Sequence, residues 1–234
     1  DIGTDGGAYN TMQFGGSGID EMSVESRLTL TNMTTEAGAK NGIIEADQKT
    51  INYLQQRGAT NLKQIKSDDD AEYAKVFEYE ASEIEPVVAK PFSPENITQV
   101  RDVSSVELDK AYIGSCTGAK YEDLLAAAKI LKGKQVKIRT EVLPAAISIY
   151  KKAMQDGLLQ IFIDAGAMVG PPTCGACCGA HMGVLAKDEI CISTTNRNFP
   201  GRMGHIDSQT YLASPLVTAA SAVTGKITDP RDLN

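Results

Sequence analysis

The sequence lacks the features that would place it in a membrane or on nucleic acid. Its 234 residues contain no apolar run close to the ~18 residues that a transmembrane helix requires. Basic residues are outnumbered, with 23 Lys and Arg against 30 Asp and Glu, and the net charge is -7. Because an acidic surface repels phosphate backbones and anionic lipids, we expect no nucleic acid and no membrane among its partners.

Targeting signals and disulfide patterns are also missing. The opening stretch DIGTDGGAYN has no basic start and no apolar centre, so we expect no signal peptide there. The five cysteines are an odd number, and three of them fall within positions 174–178. Since a chain of this length does not need disulfides for stability, the clustered thiols indicate a chemical role in a reducing compartment. We therefore expect a cytoplasmic protein.

Local patterns divide the chain into two α/β parts, and the first is expected to span residues 1–92. It contains helical patterns at 23–40 and 47–57 and an alternating pattern at 75–82 that predicts a half-buried strand. The proline-rich segment 85–96 predicts an extended linker.

The second part, residues 93–234, alternates strand and helix patterns. Strands are predicted at 110–114, 135–143, 166–170 and 189–194, and helices at 121–133, 144–157 and 214–225. Such alternation predicts a mainly parallel sheet with helices on its faces.

Chemically unusual residues follow three of these predicted strands. In parallel sheets, ligands bind beyond the carboxyl ends of the strands. If the three strands are neighbours, their loops line one crevice. In chain order, the residues of interest are Cys116, then Cys174 and Cys177, then Asn196, Arg197 and Arg202.

The cysteine pattern is compatible with more than one kind of site. Cys116 precedes a predicted helix, whose backbone N–H groups favour a thiolate. Three cysteines, two of them in a C-x-x-C loop, can hold three irons of a cubane and leave the fourth iron open as a Lewis acid. The same spacing allows a zinc site with His181 as fourth ligand, or a redox pair. Cys191 lies inside a predicted strand, which indicates a buried core residue.

Taken together, these segments resemble the aconitase superfamily. The stretch 115–118 followed by YEDL resembles its first cluster-cysteine motif, TCGAC at 173–177 its second, and STTNRNFPGR at 193–202 its substrate loop. The runs at 27–44 and 203–225 are similar to the large subunits of the 3-isopropylmalate dehydratase (isopropylmalate isomerase) branch. The resemblance covers nearly the whole chain.

The resemblance implies a fold, a cofactor and a reaction. The fold would be two α/β domains of the aconitase type, with mainly parallel sheets flanked by helices. Cys116, Cys174 and Cys177 would hold a 4Fe-4S cluster. The reaction would be that of a hydro-lyase, which isomerises 2-isopropylmalate and 3-isopropylmalate in leucine biosynthesis by dehydration and rehydration. The alternatives are a homoaconitase or other malate-type hydro-lyase, and a non-catalytic cluster-binding fragment.

The resemblance also implies substrate contacts and a partner. Asn196, Arg197 and Arg202 match residues that hold the dicarboxylate substrate. Gln13 stands where aconitase has a glutamate close to the reacting hydroxyl, and a glutamine cannot take a proton at pH 7. The chain corresponds to the last two of three large-subunit domains, and a separate small subunit carries the swivel domain. We therefore expect this chain to be inactive alone.

Overall fold

The computed structural model describes residues 2–233, which divide into two compact units between Glu85 and Pro86. The division lies before the boundary expected at residue 92. Segment 85–96 was expected to be a linker, and this prediction is wrong because the segment supplies a strand to the second unit's sheet.

The first unit is a small parallel β-pair with three α-helices. Its elements are β1 (Thr11–Phe14), α1 (Ser17–Glu21), α2 (Val24–Met33), β2 (Asn41–Ile44) and α3 (Gln48–Gln55). The strands pair in register from Thr11 with Asn41 onward. Side chains cap both longer helices, because Ser23 accepts from the Ser26 N–H and Asp47 from the Thr50 N–H.

The prediction of a strand at 75–82 is wrong. Apart from a 3₁₀ turn at Ala81–Glu83, this stretch has no regular structure, and Tyr79 is 62% exposed. The alternation of apolar and polar residues is present, but no neighbouring strand pairs with the segment. A strand without a ladder partner does not persist in water.

The second unit is built on a seven-stranded sheet. Its strands are β3 (Val87–Ala89), β4 (Ile97–Gln99), β5 (Lys110–Ile113), β6 (Arg139–Val142), β7 (Met168–Val169), β8 (Ile190–Ser193) and β9 (Gln209–Leu212). Their order is β4-β3-β9-β8-β5-β6-β7, and the five from β9 to β7 are parallel. The mainly parallel sheet is confirmed, although sequence patterns missed β3, β4 and β9.

Helices cover one face of this sheet. A short helix, α4 (Ser115–Gly118), follows β5 directly, and the covering helices are α5 (Tyr121–Leu131), α6 (Ile147–Gln155), α7 (Leu158–Asp164) and α8 (Pro215–Thr224). Ile113 and Val142 lie in a core with α5 and α7, while Ala111 and Ile192 pack with α8. The helix predicted from residue 144 begins only at Ile147, because the Ala146 backbone is extended and the Ala145 N–H donates to the Ala119 carbonyl at 3.0 Å.

The opposite face is covered by irregular chain. Side chains alternate along a strand, so Tyr112 and Cys191 point away from the helices. They pack with Ala176, Leu185 and Met203, which come from the loops that follow β7 and β8. The sheet therefore separates a helical core from the loops that carry the residues of interest.

Candidate functional site

The predicted loops meet beyond the carboxyl ends of the parallel strands, although the three strands that carry them are not all adjacent. β5 and β8 are neighbours, but β6 lies between β5 and β7, so the condition that all three strands be adjacent is met only for β5 and β8. The cysteine loop, defined here as residues 173–183, crosses β6 to reach β5. Its contact there is a 2.8 Å hydrogen bond from the Tyr112 hydroxyl to the Cys174 carbonyl.

The turn carrying Cys116 is fastened to the end of β8. Thr194 Oγ1 donates to the Gly114 carbonyl at 2.8 Å and accepts from the Gly114 N–H at 2.9 Å. Thr117 Oγ1 donates to the Thr194 carbonyl at 3.1 Å. Ser115 has a φ of +81°, a conformation that costs a residue with a side chain roughly 1–2 kcal/mol. The surrounding hydrogen bonds hold this strained turn in place.

Groups from all three loops meet at Cys177. All five cysteines carry thiols; Cys116 and Cys174 are exposed, and Cys177 is buried. Burial raises the pKa of the Cys177 thiol, while the Arg202 guanidinium and the Ser115 hydroxyl beside the sulfur oppose that shift. Cys174 lies close enough to act on the same thiol. The site therefore brings together two cysteine-bearing loops and one cation from the loop after β8.

Arg202 offers a donor that no protein group uses. Its Nε is buried, and no acceptor lies within hydrogen-bonding geometry among residues 2–233. A buried N–H without an acceptor is unfavourable, so an anionic group bound at this point would stabilise it. Asn196 and Arg197, the other predicted substrate residues, are half-buried in the same loop.

Asn198 was not predicted as a site residue, and it has a structural role in this loop. It is 1% exposed, and its amide donates to the Lys90 carbonyl at 2.8 Å and the Thr210 carbonyl at 3.1 Å. It thereby ties the end of β3 to β9. No sequence signal distinguishes it from Asn196, because only the fold decides which side chain turns inward.

Gln13 lies on β1 in the first unit, with its side chain exposed. Its amide nitrogen is 2.9 Å from Ser67 Oγ and 3.3 Å from Glu45 Oε1, and the Tyr73 hydroxyl donates to its oxygen at 3.3 Å. Hydrogen bonds from Ser67, chiefly from its backbone N–H, lower the pKa of Glu45. The orientation of Gln13 is therefore fixed within its own unit.

The thiols do not form a site for a single ion. Among residues 2–233, no group of three His, Cys, Asp or Glu side chains is placed to hold one metal ion. The zinc alternative needed such a group with His181, whose Nδ1 instead lies 3.3 Å from Thr173 Oγ1. Three thiols are the donor set of a cluster held by three cysteines, whereas a zinc site needs a fourth ligand beside them.

Comparison with known proteins shows the family of the chain. The family model described as Aconitase family (aconitate hydratase) matches residues 1–106 and 99–225. The chain belongs to the aconitase family. Within the described residues, no helix is long and apolar enough to cross a membrane.

Three similar members of the aconitase family are 3-isopropylmalate dehydratase large subunits. The chain is 51% identical to a 3-isopropylmalate dehydratase large subunit of Clostridium kluyveri, over 99% of the chain and 56% of the relative. It is 52% identical to that of Heliobacterium modesticaldum and 51% to large subunit 1 of Pyrococcus abyssi, in both cases over 100% of the chain and 56% of the relative. The chain thus spans about half the length of the curated relatives it matches.

Proposed function

We propose that the chain is the cluster-bearing part of a 3-isopropylmalate dehydratase large subunit, which isomerises 2-isopropylmalate and 3-isopropylmalate in leucine biosynthesis. The observation that carries the proposal is the meeting at Cys177 of Cys174, the Ser115 turn and Arg202. The names of the similar relatives supply the substrate.

Cys116, Cys174 and Cys177 would hold a 4Fe-4S cluster. Held by three cysteines, such a cluster keeps one iron open, which polarises a substrate hydroxyl as a Lewis acid. The chain's own contribution is placement. The strained Ser115 turn presents the first thiol, and the cysteine loop presents the other two.

Binding of the dicarboxylate falls to the loop after β8. Arg197 and Arg202 can each bind a carboxylate through two parallel hydrogen bonds, and Asn196 can donate or accept one. The unused Nε of Arg202 supports this role, because a substrate carboxylate would supply the acceptor it lacks. The net charge of the whole chain is -7, but this does not oppose a local cationic pocket.

Gln13 would orient a substrate group rather than transfer its proton. A carboxamide can donate and accept hydrogen bonds, but it does not ionise at pH 7. Its contacts with Ser67, Glu45 and Tyr73 fix its rotamer. A fixed amide suits orientation of a hydroxyl or carboxylate.

A small swivel-domain subunit would complete the site. The names of the relatives include the words large subunit, which implies a small one. We propose that the chain is inactive alone. The alternatives within the class are a homoaconitase or another malate-type hydro-lyase. One further candidate is a non-catalytic cluster-binding fragment or paralogue, which Gln13 favours because an amide cannot take a proton at pH 7.

Cluster loading tests the proposal directly. We would measure iron and acid-labile sulfide per chain after anaerobic reconstitution of the wild type, Cys116→Ser and Cys178→Ser. We expect about four of each in the wild type and a clear loss in Cys116→Ser. Cys178→Ser is the matched control, since it removes an exposed thiol of the same loop that is no expected ligand. Absence of sulfide, or equal loading in Cys116→Ser, would overturn the proposal.

Substrate choice needs the completed enzyme. With the small subunit and the remaining part of the large subunit added, we expect turnover of isopropylmalates in preference to homocitrate-type or unbranched malates. Preference for another dicarboxylate would favour the homoaconitase alternative. A loaded but inactive complex would favour the non-catalytic fragment.

A further inference from the structure

A buried ion pair lies beneath the cysteine loop. Lys110 on β5 is 0% exposed and Glu141 on β6 is 3% exposed, with Nζ and Oε2 2.8 Å apart. Among residues 2–233, no donor is aligned for a hydrogen bond to this Oε2, so the contact is electrostatic rather than directional. Removing two charges from water is unfavourable, and well-packed apolar residues in their place are often as stable. Stability alone therefore does not account for the pair.

The pair supports the far end of the cysteine loop. Lys110 Nζ donates a hydrogen bond to the Gly183 carbonyl. Gly183 has a φ of +71°, and a Cβ at this position would collide with both the Lys110 ammonium and the Glu141 carboxylate. The backbone thus rests directly on the two charged groups, with no room for a side chain between them.

Tyr112 supports the near end of the loop from the same face of the sheet. It is two residues beyond Lys110 on β5 and directly opposite Glu141 in the ladder with β6. Its hydroxyl donates to the Cys174 carbonyl at 2.8 Å, and a Cβ on Gly175 would meet that hydroxyl. Both ends of the loop are therefore fastened to three neighbouring side chains.

We propose that Lys110, Glu141 and Tyr112 are positioning residues that hold the cysteine loop over β5 and β6, so that its thiols are in place beside the Cys116 turn before any cofactor binds. The identity of the bound group rests on the proposed function, but the fastening itself does not. A carbonyl bound by an ammonium is held more strongly than by a neutral donor.

Hydrogen exchange in the metal-free protein tests the fastening without a cofactor. The Cys177 and Gly179 amides donate hydrogen bonds inside the loop, so their exchange reports its opening. In Tyr112→Phe we expect about a fivefold rise in their exchange rates, corresponding to one lost hydrogen bond. The double variant Lys110→Met/Glu141→Leu should raise them about tenfold, while removing both charges together avoids leaving a buried unpaired ion.

Tyr211→Phe is the matched control, because Tyr211 is also a buried tyrosine but packs on the helix-covered face. It should leave the loop amides unchanged, and exchange in α5 should be unchanged in every variant. After reconstitution, the Tyr112 variant should lose its cluster absorbance about fivefold faster in air than the wild type, with an altered electron paramagnetic resonance spectrum.

The two proposals fail in different ways. Unchanged exchange of Cys177 and Gly179 in both variants, with normal loading, overturns the positioning role and leaves the proposed function standing. Faster exchange in a protein whose wild type takes up no sulfide overturns the proposed function and supports the positioning role. A uniform rise of exchange in α5 as well as in the loop also overturns positioning, because it reveals general destabilisation.

Discussion

Asn198 gives the sharpest test of how the second unit is held together. The antiparallel strand β3 pairs with β9 only at Ala89 and Leu212. The Asn198 amide reinforces this junction by donating to the Lys90 and Thr210 carbonyls at 2.8 and 3.1 Å. We therefore expect Asn198→Ala to loosen the attachment of β3 and β4 to the parallel part of the sheet.

The expected loss follows from the two hydrogen bonds. Each contributes about 1 kcal/mol, and a buried carbonyl left without a donor costs about 1–3 kcal/mol instead. We expect Asn198→Ala to lower the free energy of unfolding by about 3 kcal/mol, which corresponds to a fall in Tm of about 6–12 °C for a chain of this size. Asn198→Asp should lose more, because it places a carboxylate oxygen against two carbonyl oxygens.

Thermal unfolding followed by circular dichroism measures the change, and hydrogen exchange at Val88 localises it. Asn196→Ala is the control: it alters a half-buried asparagine of the same loop that we assign to substrate binding. It should lower Tm clearly less than Asn198→Ala does, because the Asn196 side chain is less buried. Equal losses in the two variants, or no loss in Asn198→Ala, would refute the reasoning.

Three further predictions concern other parts of the molecule. Gly183→Ala should lower the free energy of unfolding by about 2–4 kcal/mol in urea titrations, because it adds strain at positive φ and a collision with the buried pair. The hydrogen bond and charge of Arg27 hold the pKa of Asp47 well below its usual range. The stability that this pair contributes is therefore fully present above pH ~4 and is lost as the pH falls through the pKa of Asp47 in the folded protein. The stability difference between wild type and Asp47→Asn should thus be constant from pH 5 to 7, at about 1–2 kcal/mol, and shrink in acid; a difference that grows in acid would contradict this sign. Burial raises the pKa of Cys191 to about 12, so mass spectrometry after iodoacetamide treatment at pH 8 should show the exposed thiols modified and Cys191 modified only after unfolding.

The sequence was informative wherever a pattern is local. Ser214 caps α8 and Gly225 ends it with a φ of +81°, as their positions predict. The strand KAYI is fully buried, ICIS is buried except at Ile190, and both lie where expected. The strands β3 and β4 were missed because each is only three residues long, the chain around them is proline-rich, and β3 joins the sheet through the distant β9.

For the site, the sequence predicted which loops meet but not how. The chemistry of three thiols and an arginine is visible in the pattern, and the structure brings Arg202 to Cys177. The contacts of Lys110 and Glu141 beneath the cysteine loop could not be predicted, because both look like ordinary polar residues in strand patterns. Their pairing depends on the order β5-β6-β7, which no local signal reveals.

The crossing of the cysteine loop over β6 has a consequence for the order of events during synthesis. Sixty-two positions separate Tyr112 from Cys174, and β6 and β7 lie between them in the chain. Such a distant contact forms only after the intervening chain has been made and paired. A nascent chain therefore contains Cys116 long before Cys174 and Cys177 have been made. We expect the thiols of the cysteine loop to come beside Cys116 only once β6 and β7 have been made and paired.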